Sequence, residues 1–155
     1  MQPLWPKKSA DIIPLFKTFR IGAVLAYSLS KYDSSLKGRE LIKVLLDRKI
    51  PREYRQIPPN SNVLLSFGEI DCRAHIIRNS IKWKRDVETI IEDTVGSYFS
   101  VIYEIKELGY NPIVWGVIPS GHRKRFAENK EFPAFGTCQE RNYITKLFNN
   151  YLKRL

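Results

Sequence analysis

Val63-Leu64-Leu65-Ser66-Phe67 sets four apolar residues in five between Asn60-Ser61-Asn62 and Gly68. So short and continuous a run, fenced by turn formers, predicts a strand buried on both faces, as in a parallel sheet. A different period follows. Val87, Ile90, Ile91, Thr94, Val95, Tyr98, Ile102 and Ile105 recur at helical spacing, with Arg85, Glu88, Glu92, Glu104 and Lys106 on the opposite side. That stripe predicts a long helix from about Lys84 to Leu108, closed by Gly109 and turned by Tyr110-Asn111-Pro112. Ile113 to Ile118 reads as a second apolar strand, ending in Pro119-Ser120-Gly121. Strand, helix and strand in this order form a βαβ unit with a right-handed crossover, so the two strands are expected to be parallel and to end on one edge of the sheet.

The flanks are less regular. Phe19 to Leu29 reads as strand and turn, with Ile21, Val24, Leu25 and Tyr27 as filling and Gly22 breaking the run at a close backbone approach. Leu41-Ile42 and Leu45-Leu46 repeat at helical spacing opposite Lys43, Asp47 and Arg48, which predicts a surface helix. Ile50 to Asn60 holds three prolines and is the connection into the Val63 strand. Thr137-Cys138-Gln139-Glu140 is a capping box, and Ile144, Leu147, Phe148, Tyr151 and Leu152 are the buried stripe of the helix that it starts. Residues 1–18 read as an irregular arm and a short helix limited by Pro14, and residues 19–155 as a single α/β domain.

Composition adds a charge. Hydrophobic residues make up 43% and charged residues 27% of 155, ordinary globular usage, while 26 basic against 16 acidic side chains give a formal net charge of +10. An anionic partner such as nucleic acid, phospholipid or acidic glycan is physically compatible with that balance. The dense knots are Lys7-Lys8, Lys82-Lys84-Arg85 and His122-Arg123-Lys124-Arg125, and they carry no series of interleaved aromatics of the kind a base-stacking platform requires. Nucleic-acid binding is therefore the weaker expectation. Cys72 and Cys138 are too few and too far apart for a disulfide framework, and the amino terminus lacks the pattern of a secretory signal, so reduced thiols and a cytoplasmic location are expected. No stretch has the apolar length of a membrane span.

Candidate chemistry gathers at the carboxyl end of the Val63 strand, where Glu69, Asp71, Arg73 and His75 follow Gly68. In open α/β sheets ligands bind just outside the carboxyl ends of the strands, which makes these residues a candidate pocket. The alternative is an ion-paired, solvated loop capping the sheet, with Arg73 held by its neighbouring carboxylates. The spacing of Glu69, Asp71 and His75 matches no standard ligand set, so neither metal nor cofactor is expected. Cys72 reads as a small buried filler, Trp5, Trp83 and Trp115 as packing residues, and His122 as a solvated loop histidine without an orienting acid.

Gly68-Glu69-Ile70-Asp71 is similar to the third signature block, Gly-x-Asn-Asp, of the SGNH (GDSL-like) hydrolases. The longer string Phe67-Gly68-Glu69-Ile70-Asp71-Cys72-Arg73, with His75 beyond, resembles a branch of that superfamily associated with bacterial polysaccharide and glycan gene clusters. Ile21-Gly22 with Leu25-Ala26-Tyr27-Ser28-Leu29, and Phe132-Pro133 with Gly136, Glu140-Arg141 and Asn149, extend the likeness over roughly residues 19–155.

The resemblance implies a three-layer flavodoxin-like parallel sheet of order 2-1-3-4-5 and ester hydrolysis by a serine nucleophile. Gly22 then corresponds to an oxyanion-type glycine, and Gly68 with Asp71 to the third block. No Gly-Asp-Ser stands near the amino terminus, Ser9 lies outside any glycine turn, Ile70 replaces the asparagine, and no late Asp-x-x-His follows. The expectation is a scaffold truncated at both ends, its sheet incomplete for want of the central first strand, that binds a carbohydrate or acyl-ester ligand near Gly22, Gly68, Glu69, Asp71, Arg73 and His75 without a complete esterase machine. The alternative function is a basic module for an anionic polymer, using Lys82, Lys84, Arg85, Arg123, Lys124 and Arg125.

Overall fold

The computed structural model describes residues 18–19, 21–46, 57–121 and 133–154. The predicted arm, most of the proline-bearing connection and the His122 to Arg125 knot lie outside them. Asn62–Leu65 forms β1 and Asn111–Val114 forms β2, and the two pair in parallel with Leu64 opposite Ile113 and Leu65 opposite Val114; β2 begins two residues before the expected Ile113, so that Asn111 and Pro112, read as a turn, pair with Asn62 and Val63, and it ends before the expected Ile118. The amide of Trp115 still donates to the Leu65 carbonyl at 2.8 Å, after which the chain leaves the ladder. The fold class is α/β, with two parallel strands and four α-helices among the described residues.

Between the strands runs α3, Val87–Glu107, and it packs the expected stripe inward: Ile90, Ile91, Thr94, Val95, Tyr98, Ile102 and Ile105 are buried, joined by Ser97 and Val101. It starts three residues later than the periodicity suggested. Lys84 adopts a left-handed φ of 52° that closes the preceding helix, and Asp86 is extended, so α3 cannot begin before Val87. At its other end Gly109, with φ 78°, turns the chain, and the Tyr110 hydroxyl lies within hydrogen-bond distance of the carbonyls of Leu46 (3.2 Å) and Ile57 (3.3 Å). Those contacts tie the end of α1, Gly38–Leu46, to the approach to β1. α1 is further fastened to α3 by Arg39 and Lys43 on Glu104, a carboxylate that the periodicity had assigned to water.

The last helix, α4, spans Cys138–Arg154 and starts on the predicted capping box. The Thr137 amide donates to Glu140 Oε2 at 2.6 Å and the Glu140 amide to Thr137 Oγ1 at 3.2 Å. Ile144 and Phe148 are buried, and Leu147, Tyr151 and Leu152 pack half-buried beside them.

Three expectations fail. Phe19 to Leu29 supplies no strand among its described residues: Gly22 has φ +87°, and Ala26–Ser28 forms a 3-10 turn. Nor is the sheet buried on both sides, since Leu64, Ile113 and Trp115 are 46%, 47% and 58% exposed on one face. Trp115 therefore does not pack in the core, and neither does Trp83, which is exposed. The third is the predicted loop after Gly68, which is helical: a π-helical turn over Asp71–His75 leads into α2, Ile76–Trp83. No helix among the described residues is long and apolar enough to cross a membrane.

Candidate functional site

Gly68 ends the approach from β1 with φ +100°, and a Cβ built there would lie 2.7 Å from the Phe148 ring and 3.1 Å from Val117. Only glycine fits so close to α4 with a left-handed backbone. Its role is to let the chain turn tightly under Phe148, and the Gly68 carbonyl then accepts the Cys72 amide at 2.9 Å, starting the helical run. One turn on, the Ile76 amide donates to the Asp71 carbonyl five residues back, the signature of a π-helical turn. The wider turn buries four consecutive residues, Asp71, Cys72, Arg73 and Ala74, which a regular amphipathic helix does not do.

Asp71 is 1% exposed, not solvated. Its Oδ2 accepts the Ala26 amide at 2.8 Å and its Oδ1 the Tyr27 amide at 3.3 Å, so it satisfies donors at the head of the Ala26–Ser28 turn. This contact explains the missing strand: the two amides that an extended chain would offer to a neighbouring strand are taken by a carboxylate. Burial raises the Asp71 carboxyl to about 6, against the pull of those amides and with a smaller push from Glu69. From the opposite side Ser97 of α3 donates to the Tyr27 carbonyl at 2.9 Å and accepts the Ser30 amide at 3.0 Å. The turn is thus clamped between two helices.

Arg73 is also buried. Its Nε donates to Glu69 Oε1 at 2.7 Å, one guanidinium nitrogen donates to the Pro133 carbonyl, and its own carbonyl accepts the Phe135 amide at 2.9 Å. The ion pair expected from the sequence is present, and beyond it the arginine binds residues 133–135 to the helix. Segments 21–36, 70–75 and 133 enclose a cleft of about 320 Å³, lined by Ala23, Leu25, Ser28, Ser35, Leu36, Ile70, Arg73, His75 and Pro133. His75 stands half-buried in this wall, and burial first, with Arg78 and Arg73 adding to it, lowers its pKa below the usual imidazole value. At neutral pH it is uncharged and can accept a proton or a hydrogen bond.

The six pocket candidates therefore divide. Arg73 and His75 line the cleft; Glu69 holds Arg73 from the rim; Asp71 lies beneath the wall and shapes it; Gly22 is exposed and turns the chain into Ala23, which lines the cleft; Gly68 packs under Phe148. Ser28 and Ser35 add hydroxyls that sequence reasoning did not single out, and only Ser28 had a signal, as part of the Leu25 to Leu29 string. Ile70 makes the cleft apolar where a hydrogen-bond donor would help hold an oxyanion.

The other candidates fall apart from this cleft. Lys82, Lys84 and Arg85 are exposed, with Arg85 on Asp93 at 2.8 Å, and Arg123, Lys124 and Arg125 lie outside the described residues. Cys72 and Cys138 are free; burial raises the Cys72 thiol far above its usual value, so it stays protonated and serves as filler. No group of three or more ligating side chains comes together among the described residues. Downstream, the Asn149 amide accepts the Val117 amide proton at 2.8 Å and donates to the Val117 carbonyl at 2.9 Å, as an adjoining strand would. Comparison with protein-family models, curated proteins and solved structures gives no match to this chain.

Proposed function

We propose that the domain is a ligand-binding scaffold of the SGNH-hydrolase-like kind, which holds a carbohydrate or acyl-ester group in the cleft beside His75 and carries no complete esterase machine. One observation carries the reading: Asp71, in the Gly68 to Asp71 block, grips the backbone of the Leu25 to Leu29 block. The central string of the resemblance and one of its supporting strings thus meet, 45 residues apart in sequence, and residues of both line one cleft. The downstream residues of the likeness also serve this neighbourhood, Pro133 through Arg73, Glu140 through the cap of α4 and Asn149 through Val117.

The apolar face of Leu64, Ile113 and Trp115, exposed here, is one that a flavodoxin-like, three-layer arrangement would cover with helices. The cleft itself supplies two hydroxyls and a neutral imidazole among apolar walls, with the Arg73 guanidinium held by Glu69 and the Pro133 carbonyl, a set suited to reading sugar hydroxyls or an acyl carbonyl. Turnover would additionally need an activated hydroxyl and oxyanion donors, and Ile70 offers none.

The test is titration of the full chain with neutral monosaccharides and their O-acetyl derivatives, followed by amide NMR shifts, alongside assay of short-chain aryl esters. Saturable shifts at Ser28, Ser35 and His75 are expected, with ester hydrolysis no faster than buffer. Absence of such shifts for every sugar overturns the binding assignment, and robust turnover abolished by Ser9→Ala overturns the assignment as a non-catalytic scaffold.

A further inference from the structure

α2 joins the cleft to a second patch. His75, Arg78, Asn79, Lys82 and Trp83 recur at spacings of three and four and share one helical face, which runs about 12 Å from end to end at 1.5 Å per residue. At its far end Trp83, 38% exposed, meets Tyr27 with ring centroids 5.9 Å apart and planes tilted by 41°. Lys31 sets its Nζ 4.1 Å from the centroid of the same Tyr27 ring. Tyr27 directly precedes Ser28 of the cleft wall, so the aromatic pair and the cleft adjoin through the 3-10 turn as well as through α2. Trp83 stands between Lys82 and Lys84, and among the described residues Lys31, Arg78 and Lys82 form no ion pair.

We infer that this face is a subsite for an anionic oligosaccharide, two or more sugar units bearing carboxylate or sulfate groups, with one end in the cleft; the inference rests on the cleft being a ligand site. The chemistry matches part by part. The C–H face of a sugar ring stacks on the exposed indole, hydroxyls meet Asn79, and the acidic group is drawn to Lys31, Lys82 and Arg78. The two functions that the sequence offered as rivals, a sugar pocket and a basic module, then occupy opposite ends of one helix. Single-stranded nucleic acid fits less well, because successive bases need successive open rings, whereas Tyr27 is covered by Lys31 on top of its contact with Trp83.

Calorimetric titration of the full chain with a galacturonate tetramer, its uncharged galactose counterpart and an oligo-dT of equal charge tests this. The acidic tetramer is expected to bind about ten-fold more tightly than the neutral one, with Trp83→Ala weakening the binding of both tetramers and Lys31→Gln removing most of that preference. Trp83→Phe, which keeps a stacking ring, should retain the binding of both. Equal affinity for the two tetramers, or preference for oligo-dT over both, overturns the inference. Binding of the acidic tetramer that survives His75→Ala but is lost in Trp83→Ala leaves the subsite standing while the cleft assignment fails.

Discussion

α4 and the π-helical turn leading into α2 begin under the same requirement, that backbone donors at a helix start find acceptors, and they meet it over different reaches. α4 is closed by residues three apart: Thr137 and Glu140 exchange hydrogen bonds within one turn of chain. At the other start, Asp71 stands where an acid favours its own helix, yet it spends its carboxylate on Ala26 and Tyr27, so it caps a turn 45 residues away. A local cap stabilises one helix. A distant one joins two segments and makes the space between them, which is why the cleft lies at the second start and not at the first.

The largest expected effect follows from removing the distant cap. Asp71→Ala leaves two amides, one fully buried, without their acceptor, which costs about 1–3 kcal/mol for each buried donor left unpaired. For the pair a loss of about 3 kcal/mol, in the lower half of the roughly 2–6 kcal/mol that two such donors span because the Tyr27 amide is only part-buried, should appear in urea denaturation, and amide exchange at Ala26 and Tyr27 should accelerate while the first turn of α4 stays protected. A variant no less stable than one lacking the α4 cap would show the two starts to be equivalent and remove the contrast.

The two starts also titrate in opposite senses. Asp71 in the folded chain has its carboxyl raised from 3.8 to about 6 by burial, so between those values the folded state keeps a proton that the unfolded state has lost. Its contribution to stability therefore declines as pH rises from about 4 to about 6 and is flat outside that window. Glu140 behaves conversely: hydrogen bonds from Thr137 lower its pKa, so the stability it lends is present above its ordinary value of 4.5 and lost as pH falls through the depressed folded value. Comparing the unaltered chain with Asp71→Asn by denaturation at pH 4, 5, 6 and 7 should give a stability difference that changes mostly across the first three and levels off toward pH 7. A difference constant with pH would mean that Asp71 is no buried acid.

What the sequence disclosed divides along the same line. β1, α3 and α4, and β2 apart from its bounds, were legible because their signals, apolar runs, helical stripes, Gly109 and the capping box, act within a few residues. The 21–29 stretch was misread as strand because its apolar, β-prone residues say nothing of a carboxylate arriving from position 71. For the same reason Glu69 to His75 read as a polar loop, a pocket wall or else a solvated cap, and not as a helix: a polar cluster gives no sign of burial until the donors that let Asp71 be buried are known. Ser35 and Leu36 had no local mark at all, and they line the cleft together with Ile70 and His75, more than thirty residues away in the chain.

The smallest expected effect is at the local cap. Thr137→Ala removes the hydroxyl that accepts the Glu140 amide and that donates to Oε2 of the same residue at 2.8 Å, and the position is exposed, so water can replace both partners. The loss should be about 1 kcal/mol, the ordinary worth of a threonine N-cap, and for a chain of this length it should lower Tm by only about 2–4 °C. Faster exchange should be confined to the first turn of α4, because Ile144 and Phe148 anchor the next turns in the core. Sugar binding in the cleft should not change, since nothing on its wall depends on the Thr137 hydroxyl. Spread of the exchange effect to Ala26 and Tyr27, or weakened sugar binding, would show the start of α4 coupled to the cleft, through Arg73 and residues 133–135.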